Sequence, residues 1–199
     1  YLVYRDAWKE RHPGEDAGSQ IDFSPAEQLF EAPFRRENLL DPWVWIPLTL
    51  VSGLTAADYV LQWRENRDGS FARMSPWTNS LYSINYIAVQ PLGSGAPEEM
   101  FYRGFMQREF KGAFGGSSTL AVLASSSLFA LSHAPQGHLG AAIAGTYLGF
   151  LAEKNHGRLA PGITLHYWSC IILGMETVLL SHAFQRTTPP TALAVQVDF

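Results

Sequence analysis

From Gly112 to Ala152 the chain carries no Asp, Glu, Lys or Arg, and from Leu159 to Gln185 Glu176 is the one charged side chain. Runs this long without charge leave few folds open. A helix that crosses a bilayer needs roughly 20 mostly apolar residues. Hydrocarbon also obliges a backbone to satisfy its own N–H and C=O groups, which a helix does internally. The mean hydropathy of −0.03 resembles that of a water-soluble protein. That average conceals a division, because Lys, Arg, Asp and Glu crowd into residues 1–40. A length of 199 residues allows one domain with a real core. The net charge of −4 shows no basic excess, so no nucleic-acid partner is expected. The one cysteine, Cys170, excludes an internal disulfide and a Cys-based zinc site.

Five apolar segments can be read along the chain. They run from about Pro42 to Trp63, Trp77 to Phe110, Ser117 to Ser132, Leu139 to Ala152 and Pro161 to Leu180. Trp43, Trp45 and Trp63 near the ends of the first fit an interfacial belt, although Asp58 interrupts it. Pro91, Gly93, Gly95 and Pro97 predict that the second breaks into two helical pieces. Pro135-Gln136-Gly137 and His156-Gly157-Arg158 are compact turns, so the helices they join should be antiparallel. Strand alternation is absent. Gly145 and Gly149 form a small-residue pair that lets helices approach closely.

The expected fold is therefore all-α: a polytopic transmembrane bundle of about five apolar segments, one broken near Pro91–Pro97. Residues 1–40 are a polar juxtamembrane segment. Within it Ser24 is the expected N-cap of a short helix with Glu27 three residues on, and Arg35 and Arg36 lie at the membrane surface. Residues 41–185 form the embedded core, and 186–199 a tail. The chain opens on Tyr1 rather than Met, as a fragment or processed form would, and shows no signal peptide. It ends on Val197-Asp198-Phe199, with no prenylation box.

Three features carry chemistry. In Pro97-Glu98-Glu99-Met100-Phe101-Tyr102-Arg103-Gly104, Glu99 and Arg103 stand four apart and can pair on one face. Glu98 then points about 100° away, free for chemistry. The same pattern alone also fits a charged helix start. His133 closes the uncharged run Phe129-Ala130-Leu131-Ser132-His133, where it can act as base, shuttle or ligand, or serve only the structure. His166 lies deep in apolar sequence, a costly position for an ionisable group that tends to mark function. An acid pair and two histidines on separate helices can converge in a bundle, satisfying one another and activating water. Glu176 reads as a polar bundle contact. His12, His138, His156 and His182 read as interfacial, and Tyr102, Phe105 and Phe129 as packing.

The runs EEMFYRG, FALSH and GTYLGFLAEKNHGRLAPGITLHYW resemble the motifs of the CPBP family, which groups CAAX prenyl endopeptidases with bacterial bacteriocin-processing relatives. The resemblance covers residues 95–180. It implies an all-helical glutamic intramembrane endopeptidase without metal or other cofactor, integral to a bacterial cytoplasmic membrane. Its implied partners are membrane lipid and a membrane-associated peptide or protein substrate, prenylated or not. By motif position Glu98 activates water, Glu99 and Arg103 support it, His133 assists, and His166 stabilises the oxyanion. Cys170 stands where the family usually has Asn, and a thiol is a weaker donor than an amide. Two other readings stand beside this one. A zinc-dependent membrane protease would use Glu98, His133 and His166 as ligands, but the sequence lacks His-Glu-x-x-His. A non-catalytic scaffold or bacteriocin-immunity protein on the same fold draws on the Cys170 departure.

Overall fold

The computed structural model describes residues 1–11, 13, 22, 24–65, 80–81 and 83–184. Among them all regular structure is helical. His12, the start of the second apolar segment at Trp77 and the tail 186–199 lie outside the described residues, as do the side chains of Trp63 and His182.

Three short elements come first: α1 (Leu2–Arg11), α2 (Ala26–Glu31) with a 3-10 turn Ala32–Phe34, and α3 (Arg36–Leu39). The first long helix, α4 (Pro42–Glu65), follows. Asp41 starts it: its Oδ1 accepts the Trp43 N–H at 2.9 Å, and Pro42 supplies a first-turn residue with no N–H to satisfy. The second, α5, covers residues 85–113. After two positive-φ glycines, Gly115 and Gly116, comes α6 (Ser118–Leu131), capped by Ser117, whose Oγ accepts the Leu120 N–H at 3.4 Å. A 3-10 turn, Pro135–Gly137, leads to α7 (His138–Lys154), and α8 (Ala160–Phe184) completes the set.

The expected break near Pro91–Pro97 does not occur. α5 runs on through a π segment Asn85–Val89, an α segment Gln90–Glu99, a second π segment Met100–Met106 and a final α segment Gln107–Ala113. A proline lacks the N–H of the ladder and crowds the carbonyl four residues back. Wide π turns on both sides of the proline-bearing stretch take up that misfit without ending the helix. The Ser24 cap is also corrected. α2 begins after Pro25 with no side-chain cap. The Ser24 N–H is instead turned back onto Asp22 Oδ1 at 2.8 Å, which commits its backbone to a turn.

The central element is α8, which packs against α4, α5, α7 and the turn at 32–34, while α6 and α7 lie along each other. Where α8 crosses α5, a Cβ on Gly174 would collide with the Tyr86 carbonyl. Where it meets α4, Glu176 is buried beside Asp58, the bundle contact expected for it. The N-terminal elements are strapped to the first turns of α8. Asp22 Oδ2 accepts the Leu159 N–H at 2.7 Å, Thr164 Oγ1 donates to the Ala32 carbonyl at 2.8 Å, and Trp168 Nε1 donates to the Pro33 carbonyl at 2.7 Å. Leu29 and Ala32 are wholly buried against Ala96, Met100, Leu159 and Ile163. Leu29, Ala32 and Pro33 therefore belong to the core, while Phe30 and Glu31 between them are exposed.

Among the described residues two helices are long and apolar enough to cross a membrane: Pro42–Leu61 within α4 and Ala160–Leu179 within α8. The apolar α6 has 14 residues, which spans about 21 Å.

Candidate active site

Glu99 is buried at the centre, 1% exposed. Its Oε1 accepts from Arg103 Nη1 at 2.8 Å and from His166 Nδ1 at 2.9 Å. The spacing of four that predicts the Glu99–Arg103 pair is realised as a fully buried ion pair. A carboxylate offers only acceptors, so the bond from His166 puts a proton on Nδ1 and fixes the ring's orientation. The opposite nitrogen, Nε2, then faces Glu98 Oε2 at 3.8 Å.

That separation exceeds a direct hydrogen bond. Glu98 Oε2 is buried and has no hydrogen-bond partner among the described residues. The two adjacent glutamates thus occupy different surroundings: Glu99 is saturated by a cation and an imidazole, while Glu98 has an unused acceptor beside a histidine.

His133 sits just past the end of α6 and is buried. Its Nδ1 lies 2.7 Å from the Phe129 carbonyl, and a carbonyl can only accept, so the proton is again on Nδ1 and the Nε2 lone pair is available. Ser132 Oγ donates to the same carbonyl at 2.8 Å, and His138 Nε2 donates to the His133 carbonyl at 2.8 Å. His138, expected at the interface, therefore pins the backbone of His133. Glu98, His166 and Arg103 all lie within electrostatic reach of the His133 ring.

Phe129 ties the halves together. Its buried ring lies 4.5 Å from the His133 ring and 5.8 Å from that of His166, and the Arg103 guanidinium stands 4.4 Å over it. Its packing role agrees with the sequence, but its carbonyl also orients His133. The i to i+4 spacing of Phe129 and His133 is the signal that could have shown this. Cys170 follows His166 by one turn and is half-buried. Among the described residues no group of three or more His, Cys, Asp or Glu is arranged to hold a metal ion.

The arrangement is an acid–histidine centre buried in an all-helical, largely uncharged fold. Residues 79–171, just under half of the chain, match the model of the family described as Type II CAAX prenyl endopeptidase Rce1-like. That stretch contains Glu98, Glu99, Arg103, His133, His166 and Cys170, and over it the chain is similar to this CPBP-type family. No curated protein and no solved structure gives a significant match.

Proposed function

We propose that the chain is a membrane-embedded glutamic-type endopeptidase that hydrolyses a peptide bond of a membrane-associated protein or peptide. The observation that carries this reading is the buried, unpartnered Glu98 Oε2 facing His166 Nε2 at 3.8 Å. The family match supplies the reaction class. A water held by Glu98 and the free Nε2 of His133 gives up a proton to the Glu98 carboxylate as its oxygen bonds to the scissile carbonyl carbon. Negative charge passes to the carbonyl oxygen, where His166, as an imidazolium with Nδ1–H on Glu99, presents Nε2–H with the Glu99 carboxylate behind it as counter-charge. Preorganised donors aimed at developing charge are often the largest single contribution to such catalysis. The protonated acid then returns its proton to the leaving amine as the C–N bond breaks.

Apolar helices, including the two long enough to span, would enclose this centre in a bacterial cytoplasmic membrane and restrict it to membrane-tethered substrates, prenylated or not. Burial suits the mechanism, because electrostatic effects are stronger where water is excluded.

The test is cleavage of membrane-tethered peptides by purified protein in detergent, with Glu98→Ala and His133→Ala alongside. Cleavage by the native chain and its loss in both variants supports the reading. Equal cleavage by all three proteins overturns it.

A further inference from the structure

Gly145 lies in α7, apart from the reacting groups, yet its position touches the supports of both histidines. Its carbonyl accepts from Arg103 Nη2 at 3.0 Å, and the same guanidinium grips Glu99 through Nη1 at 2.8 Å. Glu99 in turn holds His166 Nδ1 at 2.9 Å. On its other side, a Cβ at 145 would stand 3.0 Å from Phe129 Cδ1, 3.3 Å from Arg103 Nη2 and 3.3 Å from Ser126 Cβ. Phe129 is the residue whose carbonyl orients His133. The absence of a side chain at 145 thus lets Arg103 reach across to α7 and lets the Phe129 ring pack close to that position.

We propose that Gly145 is a positioning residue that sets both imidazoles at once, His166 through Arg103 and Glu99, and His133 through Phe129. The proposal rests on the reading that Glu98, His133 and His166 form the active centre. It goes beyond helix packing because the chain contains its own control. Gly149, one turn on, is equally tight: an added Cβ would lie 2.9 Å from Gln107 Oε1 and 3.0 Å from Val122 Cγ1. Its carbonyl also accepts a side chain from α5, Gln107 Nε2 at 3.1 Å. Gln107 continues to Glu153 at 3.0 Å, away from the histidines. A purely structural small-residue pair predicts similar effects at both glycines, whereas a positioning role predicts an effect on the histidines at 145 alone.

The experiment compares Gly145→Ala with Gly149→Ala in ¹⁵N-histidine-labelled protein in detergent, reading ring-nitrogen resonances together with kcat and KM. Outer residues that orient reacting groups typically change activity about 10–100-fold. Gly145→Ala should lower kcat by that factor with KM little changed, and should shift the ring resonances of His133 and His166. Gly149→Ala should leave those resonances in place and kcat close to native. Equal losses in both variants with unmoved histidine signals overturn the proposal, as do native rate and signals in Gly145→Ala.

If Gly145→Ala does not fold, Arg103→Lys probes the same contact from the other side. A lysine can bond Glu99 or the Gly145 carbonyl but cannot bridge both as a guanidinium does. A shifted His166 resonance there supports the proposal, and an unmoved one overturns it. Should the native chain cleave nothing, the functional reading falls, while the resonances still decide the positioning role.

Discussion

Glu98 and Glu99 are the same residue type one position apart, and their surroundings predict opposite consequences of mutation. Glu98→Gln keeps size and removes only a basic oxygen that has no hydrogen-bond partner among the described residues. It should leave thermal stability near native and lower the rate by about 10²–10⁴-fold, the usual contribution of a positioned acid or base. Glu99→Ala strips the counter-charge from Arg103, whose side chain is completely buried. Breaking one partner of a buried ion pair costs about 3–5 kcal/mol, so this variant should lose stability as well as activity. Parallel thermal melts and cleavage assays separate the two, and similar stability losses would contradict the assignment. Cys170 offers the reverse test. An amide one turn beyond His166 would add the stronger donor that the family usually has there. Cys170→Asn should therefore raise kcat; single oxyanion donors are worth about 10²–10³ in rate where removed. Unchanged or lower activity would count against placing this position at the oxyanion.

At the scale of elements, α8 carries His166 and is gripped from outside the family-matched stretch. Asp22 accepts the N–H of Leu159, the residue just before the first turn of α8, across a sequence separation of 137 residues. Asp22→Ala should cost about 1 kcal/mol, as lost caps do, and loosen the turns that precede His166. Hydrogen exchange at the start of α8 should rise; unchanged exchange would show that the cap is dispensable. This strap was not legible in the sequence, because backbone carbonyls such as those of Ala32 and Pro33 leave no residue-type signature as acceptors. Spacing did reveal the Glu99–Arg103 pair, since two residues four apart on a helix meet whatever surrounds them. The motif residues themselves were also legible, being ionisable groups in apolar sequence. The continuity of α5 was not, because the proline rule describes a regular α ladder and the flanking π turns widen it. Gly145 and Gly149 announced close helix approach, but not that Arg103 and Gln107 fill the space.

At the scale of the whole molecule, the apolar surface points to the surrounding medium. Only 11% of the apolar window of α4 is buried, against 50% for α8. Trp45, Ile46, Leu50 and Leu54 on α4, Leu120, Leu123 and Leu131 on α6, and Leu139 and Ile143 on α7 are all exposed. A soluble monomer rarely exposes contiguous apolar patches of more than a few hundred Å². The family match points the same way, to an integral membrane protein. Fractionation tests this directly. The protein should stay with the membrane pellet through high salt and alkaline carbonate and leave it only in detergent. Carbonate strips proteins held by charge or by one face, but not helices whose whole circumference is solvated by acyl chains. Release by carbonate would mean that α4 and α8 do not span, and Glu98 would then need a water-soluble setting for its chemistry.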